Sequence, residues 1–172
     1  IVREKEIGTI EQINVTPINK LQFIAGKLTP FWILALFELA FGLTLGKLLF
    51  NIPMEGSLWL IFLSAGVFLF VILSFGLLIS NVTHTQQQAM LVSFFFMVVF
   101  ILMSGLFTSV ESMPDWAKQL NRLNPLMYFI RIMRMVLLKG SGFSDISPQF
   151  FSLSVYAVVM LTMAVWRYRK VT

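Results

Sequence analysis

The sequence predicts an all-α, polytopic membrane protein with about four transmembrane helices and a re-entrant or interfacial helical hairpin. The 172 residues are 58% hydrophobic and only 12% charged, and their mean hydropathy is +0.84. An average soluble domain carries about 25% charged residues, so this chain has too few polar side chains to cover a water-exposed surface. A helix needs about 20 apolar residues to cross a bilayer, and this length accommodates about four such crossings.

The first 28 residues form a polar segment ahead of the apolar runs. Thr9 and Gln12 have the spacing of a capping box, which predicts a short helix from about Ile10, and Pro17 disfavours helix at the residue before it. From residue 20 to residue 28 the apolar positions follow helical spacing, as in a helix that lies on the membrane surface and leads into a span. A solvated linker is the alternative. The chain thus divides into a coupling and interfacial segment, 1–28, and a transmembrane domain, 29–172.

Four apolar runs predict the membrane spans, at about residues 30–50, 58–79, 89–107 and 149–166. Glu38 lies in the middle of the first run, and an acid inside a span is a candidate for a substrate contact, a proton site or a helix–helix hydrogen bond. Gly42 and Gly46 form a G-x-x-x-G pair, which allows another helix to approach closely. These three residues are the candidates for a transport pathway or for helix packing.

Residues 113–138 predict the hairpin. The apolar stretch after Asn124 and Pro125 is too short to cross a bilayer, and Arg131 and Arg134 would be costly at mid-depth. The two arginines are three positions apart and so share a helical face, which is expected to point toward lipid headgroups or a polar groove.

Four crossings place both ends of the chain on the same side of the membrane. That side carries seven Lys and Arg residues and the other side carries five, with Lys47 left out because it lies inside a span near its outer end. The excess favours both ends in the cytoplasm. The chain begins at Ile1 in a charged stretch, as the later part of a longer protein would.

The chemistry of an enzyme is missing from the sequence. There is no cysteine, His84 is the only histidine, and the glycines before Lys47 lack the spacing and the hydroxyl of a phosphate-binding loop. We therefore predict no catalytic residue, no metal site and no cofactor bound by this chain. The basic residues cluster beside apolar runs, which is typical of lipid headgroup contacts rather than of nucleic-acid binding.

Several stretches together resemble the permease subunit of bacterial type-2 ATP-binding-cassette exporters. The opening Arg3–Gln12, continuing to Val15-Thr16-Pro17, is similar to the cytoplasmic coupling segment of that family. Thr85–Met90 is similar to its second cytoplasmic connection. The stretch from Ser104 to Phe107, then Met113-Pro114 and Leu123–Phe129, is similar to its outer re-entrant helices. The family has six spans per subunit, so the resemblance implies the carboxy-terminal portion of such a subunit.

The resemblance implies a transport component rather than an enzyme, in the bacterial plasma (inner) membrane. Two such subunits pair, cytoplasmic ATPase subunits bind ATP and Mg²⁺ beneath them, and a periplasmic adaptor is a further candidate partner. The residues that it assigns to ATPase coupling are Glu4, Gly8, Thr9, Glu11 and Pro17. The implied cargo is an amphipathic molecule, drug-like or lipid-like. The alternatives are a permease for polysaccharide export, a structural or assembly membrane protein, and a membrane enzyme.

Overall fold

A computed structural model describes residues 2–7, 20–107 and 110–167. Within these ranges the chain is helical, with no strand. The helices are α1 Val2–Ile7, α2 Lys20–Phe50, α3 Leu58–Val82, α4 Gln86–Met103, α5 Asp115–Asn121, α6 Pro125–Lys139 and α7 Phe143–Arg167, with a single 3-10 turn at Val110–Ser112. The all-α prediction is confirmed.

Four of the described helices are long and apolar enough to cross a membrane: Gln22–Phe50 within α2, then α3, α4 and α7. This confirms the predicted polytopic architecture. Short connections make neighbouring spans antiparallel, so α1 and the loop between α3 and α4 lie at one end of the bundle. The turn between α2 and α3 lies at the other end with α5 and α6. We call these the α1 end and the hairpin end.

The first span is longer than the apolar run predicts. One continuous helix extends from Lys20 to Phe50 and passes through Pro30, where the sequence predicts a surface helix followed by a span. Proline is tolerated in membrane helices when other groups compensate for the missing hydrogen bond. The boundary between the coupling segment and the membrane domain at residue 28 therefore falls inside a helix.

The last span also begins earlier than predicted, at Phe143 instead of residue 149. The Asp145 side chain accepts a hydrogen bond of 3.1 Å from the backbone N–H of Gly142, as in a capping box. Pro148 lies inside the helix and cannot donate to the carbonyl of Ser144, but the Ser147 hydroxyl donates to that carbonyl at 2.8 Å. Local polar side chains thus add almost two turns to α7.

The third span is shifted toward its start, at Gln86–Met103 instead of 89–107. Thr85 caps α4 by accepting a hydrogen bond of 3.2 Å from the N–H of Gln88, and the Gln88 side chain accepts one of 3.2 Å from the N–H of His84. At the other end Gly105 has a φ of 85°, which ends the helix. The exposed His84 therefore lies beside a helix cap.

The core lies where α3, α6 and α7 meet. Its fully buried side chains are Ile61, Val71, Ile132, Val136, Ile146 and Leu153. A smaller cluster of Ile24, Leu77 and Ala164 joins α2, α3 and α7 at the α1 end. The span α3 is thus central, whereas α4 has no buried residue among those described. Close packing of this kind, rather than escape from water, holds helices together in a bilayer.

The predicted hairpin is present as α5 and α6. The 15 residues of α6 extend about 22 Å, which is shorter than the hydrocarbon core of about 30 Å. Ile132 and Val136 insert α6 between α3 and α7. The hairpin is therefore a packed part of the bundle, although α6 is too short to cross the hydrocarbon core.

Candidate functional site

The α1 end brings three segments together through polar side chains. Glu4 of α1 forms an ion pair with Lys27 of α2. Glu6 accepts a hydrogen bond of 2.8 Å from the Gln86 side chain at the start of α4. Val2 of α1 is buried. The ion pair is partly exposed and the hydrogen bond between Gln86 and Glu6 is exposed. Single contacts of these kinds contribute about 1 kcal/mol each, so they hold α1 in a defined place and can still break reversibly.

The predicted coupling residues are only partly covered by the structure. Glu4 takes part in this cluster, which we call the α1 clamp: Glu4, Glu6, Lys27 and Gln86. Gly8, Thr9, Glu11 and Pro17 lie outside the described residues, so their role stays a prediction.

Sequence reasoning did not assign Glu6 or Gln86 to a site. They are 80 positions apart, and no local pattern links them. The similarity of Thr85–Met90 to a cytoplasmic connection was the signal that could have drawn attention to Gln86.

The environment of Glu4 favours its charged form. Burial acts to raise the pKa of the Glu4 carboxyl, whereas the hydrogen bond from Lys27 and the charge of Lys27 act to lower it, and the pKa lies below the ordinary value. The Lys27 ammonium also lies 4.9 Å from the ring centroid of Phe23, which fixes the position of the cation.

Docking of α1 is expected to weaken in acid. Because the pKa of Glu4 is lowered in the folded state, its stabilising contribution is present above the unfolded carboxyl pKa and is lost as the pH falls through the folded value. Hydrogen exchange of residues 2–7, corrected for the intrinsic pH dependence, should show less protection in acid. Glu4→Gln should lose protection already at neutral pH and depend less on pH. Equal pH dependence in both proteins would contradict this assignment.

At the hairpin end, Asn124 joins α6 to the end of α4. Its side-chain oxygen accepts a hydrogen bond of 3.0 Å from the N–H of Leu126 and so caps α6. Its side-chain nitrogen donates 2.9 Å to the carbonyl of Phe100 and 3.2 Å to the side-chain oxygen of Asn121. Carbonyls in the last turn of a helix lack partners within the helix, and the Phe100 carbonyl is satisfied from the hairpin. Pro125 follows at the first position of α6, where its missing N–H costs nothing.

The two hairpin arginines have different environments. Arg134 donates a hydrogen bond of 2.8 Å to the carbonyl of Gly105, just beyond α4. Arg131 is exposed, and its guanidinium group has no hydrogen bond or ion pair within the part of the chain that the structure describes. Arg134 thus adds a second link between the hairpin and α4. A contact between Arg131 and lipid headgroups stays a prediction. We call Asn124 and Arg134 the hairpin latch.

The turn between α2 and α3 packs against the other side of α6. The N–H of Glu55 donates 3.2 Å to the carbonyl of Leu137. A Cβ atom at Gly56 would lie 2.8 Å from Cγ1 of Val136. Gly140, with a φ of 61°, ends α6 in the left-handed conformation. This close backbone contact explains why glycine is needed at position 56.

Glu38 and Gly42 lie on an exposed part of α2, whereas Gly46 is buried. Glu38 is exposed, and no atom of the described residues comes within 4 Å of a Cβ at Gly42. Ile52, from the turn that follows α2, fills the space at Gly46, with its Cδ1 3.0 Å from a Cβ there. Of the two glycines, only Gly42 therefore has open space beside it. The role of Glu38, Gly42 and Gly46 in a transport pathway or in helix packing stays a prediction.

A glycine that the sequence reasoning passed over mediates the contact between the first two spans. The Trp32 indole donates a hydrogen bond of 3.1 Å to the carbonyl of Gly66, and its ring lies 3.2 Å from a Cβ at that position.

No group of three or more acidic or histidine side chains that could hold a metal ion occurs among the described residues.

Comparison with known proteins identifies the family. Residues 1–166 match the family model described as ABC-2 family transporter protein. The chain belongs to the ABC-2 transporter family. The resemblance seen in the sequence, to the permease subunits of such transporters, is thereby confirmed.

Individual relatives agree with this family. The chain is 34% identical over 170 residues to the probable multidrug ABC transporter permease YbhR of Escherichia coli K12, covering 99% of this chain and 46% of that protein. It is 28% identical over 171 residues to the inner membrane transport permease YhhJ of the same organism, again over 99% and 46%. It is 25% identical over 166 residues, 95% of this chain and 23% of the relative, to ABC transporter G family member 20 of Dictyostelium discoideum.

The chain thus spans less than half the length of these relatives. No solved structure was found to match it.

Proposed function

We propose that this chain is the membrane-spanning permease part of an ATP-driven exporter that moves an amphipathic substrate, drug-like or lipid-like, out of the cytoplasm. A separate cytoplasmic subunit binds ATP and Mg²⁺ and hydrolyses the nucleotide. The single observation that carries this proposal is the α1 clamp, in a chain of the ABC-2 family. Glu4 and Glu6 tie one short helix to two different spans.

The clamp gives a moving partner two points of attachment. A displacement of the segment that follows α1 would act on α2 through Lys27 and on α4 through Gln86. Since α4 has no buried residue among those described, it can tilt without breaking the core between α3, α6 and α7. A transporter needs two arrangements only a few kcal/mol apart, and nucleotide binding then shifts the population between them.

The hairpin latch extends this coupling to the opposite end of the bundle. Asn124 donates a hydrogen bond to the carbonyl of Phe100 in the last turn of α4, and Arg134 donates one to the carbonyl of Gly105 just beyond α4. A tilt of α4 would therefore move the hairpin as well. In this scheme the α1 end faces the cytoplasm of a bacterium, the protein lies in the inner membrane, and the hairpin closes the outer side of the pathway. A periplasmic adaptor would meet the hairpin end.

A second permease subunit completes the proposal. The face of α4 that carries Leu91, Phe94 and Phe95 is exposed and apolar, and Gly42 leaves open space on α2. Homodimers and heterodimers both fit these surfaces.

The test uses the full-length permease, co-expressed with a candidate ATP-binding-cassette subunit. Gln86→Ala removes the donor to Glu6. It is expected to lower substrate-stimulated ATP hydrolysis about fivefold, because a hydrogen bond of about 1 kcal/mol is lost from the coupled state. Gln87→Ala is the matched control, since the Gln87 side chain is exposed and has no hydrogen bond among the described residues. Alanine at Glu4 and at Glu11 should also lower the coupled rate.

Three outcomes would contradict parts of the proposal. If no ATPase co-purifies with the protein, a structural or assembly role is favoured over transport. If the ATPase co-purifies but only polysaccharide stimulates it, the substrate class changes. If Gln86→Ala and Gln87→Ala behave alike, the α1 clamp does not carry the coupling.

A further inference from the structure

A groove at the hairpin end of the first two spans has chemistry suited to a lipid. It has a volume of about 290 Å³. One wall is a single face of α2, formed by residues at helical spacing: Ala40, Leu43, Thr44, Lys47 and Leu48. The other wall is formed by Met54, Leu58 and Phe62. From Ala40 to Lys47 the groove follows α2 for about 10 Å along the helix axis.

The inside of the groove is apolar. Thr44 is the only uncharged polar side chain in its lining, and its hydroxyl already donates 2.7 Å to the carbonyl of Ala40. The groove therefore offers a hydrocarbon chain contact without leaving a polar group unpaired.

A single charge lies at one end of this groove. Lys47 is in the last turn of α2, three residues before the helix ends. Its ammonium group has no ion pair or hydrogen bond within the described ranges, and Glu55 in the following turn does not pair with it. A lysine this close to the end of a membrane helix extends its ammonium group toward the headgroup region.

We propose that this groove binds an anionic phospholipid, with an acyl chain between α2 and α3 and the headgroup phosphate on Lys47. Charge complementarity selects this occupant: the groove is apolar toward mid-membrane and carries one unpaired cation at the membrane surface. A basic residue beside an intramembrane groove is the arrangement that holds anionic headgroups. The site is independent of α1 and of the hairpin latch, so it does not depend on the proposed transport activity.

The experiment measures lipid binding to the purified full-length protein in a neutral detergent. Phosphatidylglycerol and phosphatidylcholine with identical acyl chains are titrated separately, and the bound lipid is counted by native mass spectrometry. The wild type should bind phosphatidylglycerol more tightly, and Lys47→Gln should weaken its binding about fivefold while leaving phosphatidylcholine unchanged. Lys139→Gln is the matched control, because Lys139 is an exposed lysine in the last turn of α6 and does not line the groove.

A second variant tests the acyl-chain part of the site. Ala40→Phe fills the deep end of the groove and keeps Lys47, so it should weaken the binding of both lipids. The proposal is overturned if phosphatidylglycerol and phosphatidylcholine bind the wild type equally. It is also overturned if Lys47→Gln and Lys139→Gln have the same effect, or if Ala40→Phe binds both lipids as the wild type does. Thermal unfolding without added lipid checks that each variant is folded.

Discussion

Replacing Gly56 by alanine is expected to lower the free energy of unfolding by about 1–3 kcal/mol. The added methyl group would meet the backbone carbonyl of Val136 and lie 2.8 Å from its Cγ1. Val136 is fully buried in the core, so neither its backbone nor its side chain can move away without disturbing α6. The measurement is chemical unfolding of the purified protein in mixed micelles.

Gly76→Ala is the matched control for this substitution. Gly76 lies inside α3, and no atom of the described residues is within 4 Å of a Cβ there. Alanine favours a helix over glycine by about 0.5–1 kcal/mol, so this variant should be unchanged or slightly more stable. If both variants lose the same stability, the cost does not arise from the contact with Val136.

The membrane architecture was predictable because hydropathy is a local property of the chain. The runs at 58–79 and 89–107 each contain most of one observed span, since about 20 consecutive apolar residues have few alternatives to a membrane helix. The limits of the spans were less predictable, because polar side chains decide them. Thr85 begins α4 before its apolar run, and the side chain of Asp145 allows α7 to begin at Phe143.

The candidate sites were predictable only where one residue carries the signal. Arg134 was singled out as a charge in an apolar helix, and it proves to bind the end of α4. The pairing of Glu6 with Gln86 and the contact between Gly56 and Val136 each join segments distant in sequence. Such contacts depend on how the helices pack against each other, which periodicity and composition do not specify.

Asn124→Ala is expected to lower the free energy of unfolding by about 2–4 kcal/mol. Two losses add up: the cap of α6, at about 1 kcal/mol, and the partner of the Phe100 carbonyl, at about 1–3 kcal/mol when the acceptor is left buried and unsatisfied. Asn124 is only 3% exposed, so water has little access to replace its hydrogen bonds. The same unfolding assay measures the effect, with the exposed Gln119→Ala as a hairpin control expected to stay within about 0.5 kcal/mol of the wild type.

Asn124→Ser separates the two losses. Serine caps helices about as well as asparagine, so this variant should recover about 1 kcal/mol relative to alanine. Its shorter side chain carries no amide to donate to the Phe100 carbonyl, so the link to α4 should remain broken. Amide exchange in the last turn of α4 should therefore be faster than in the wild type for both variants. If serine restores the wild-type stability and exchange, Asn124 acts only as a helix cap, and Arg134 alone joins the hairpin to the third span.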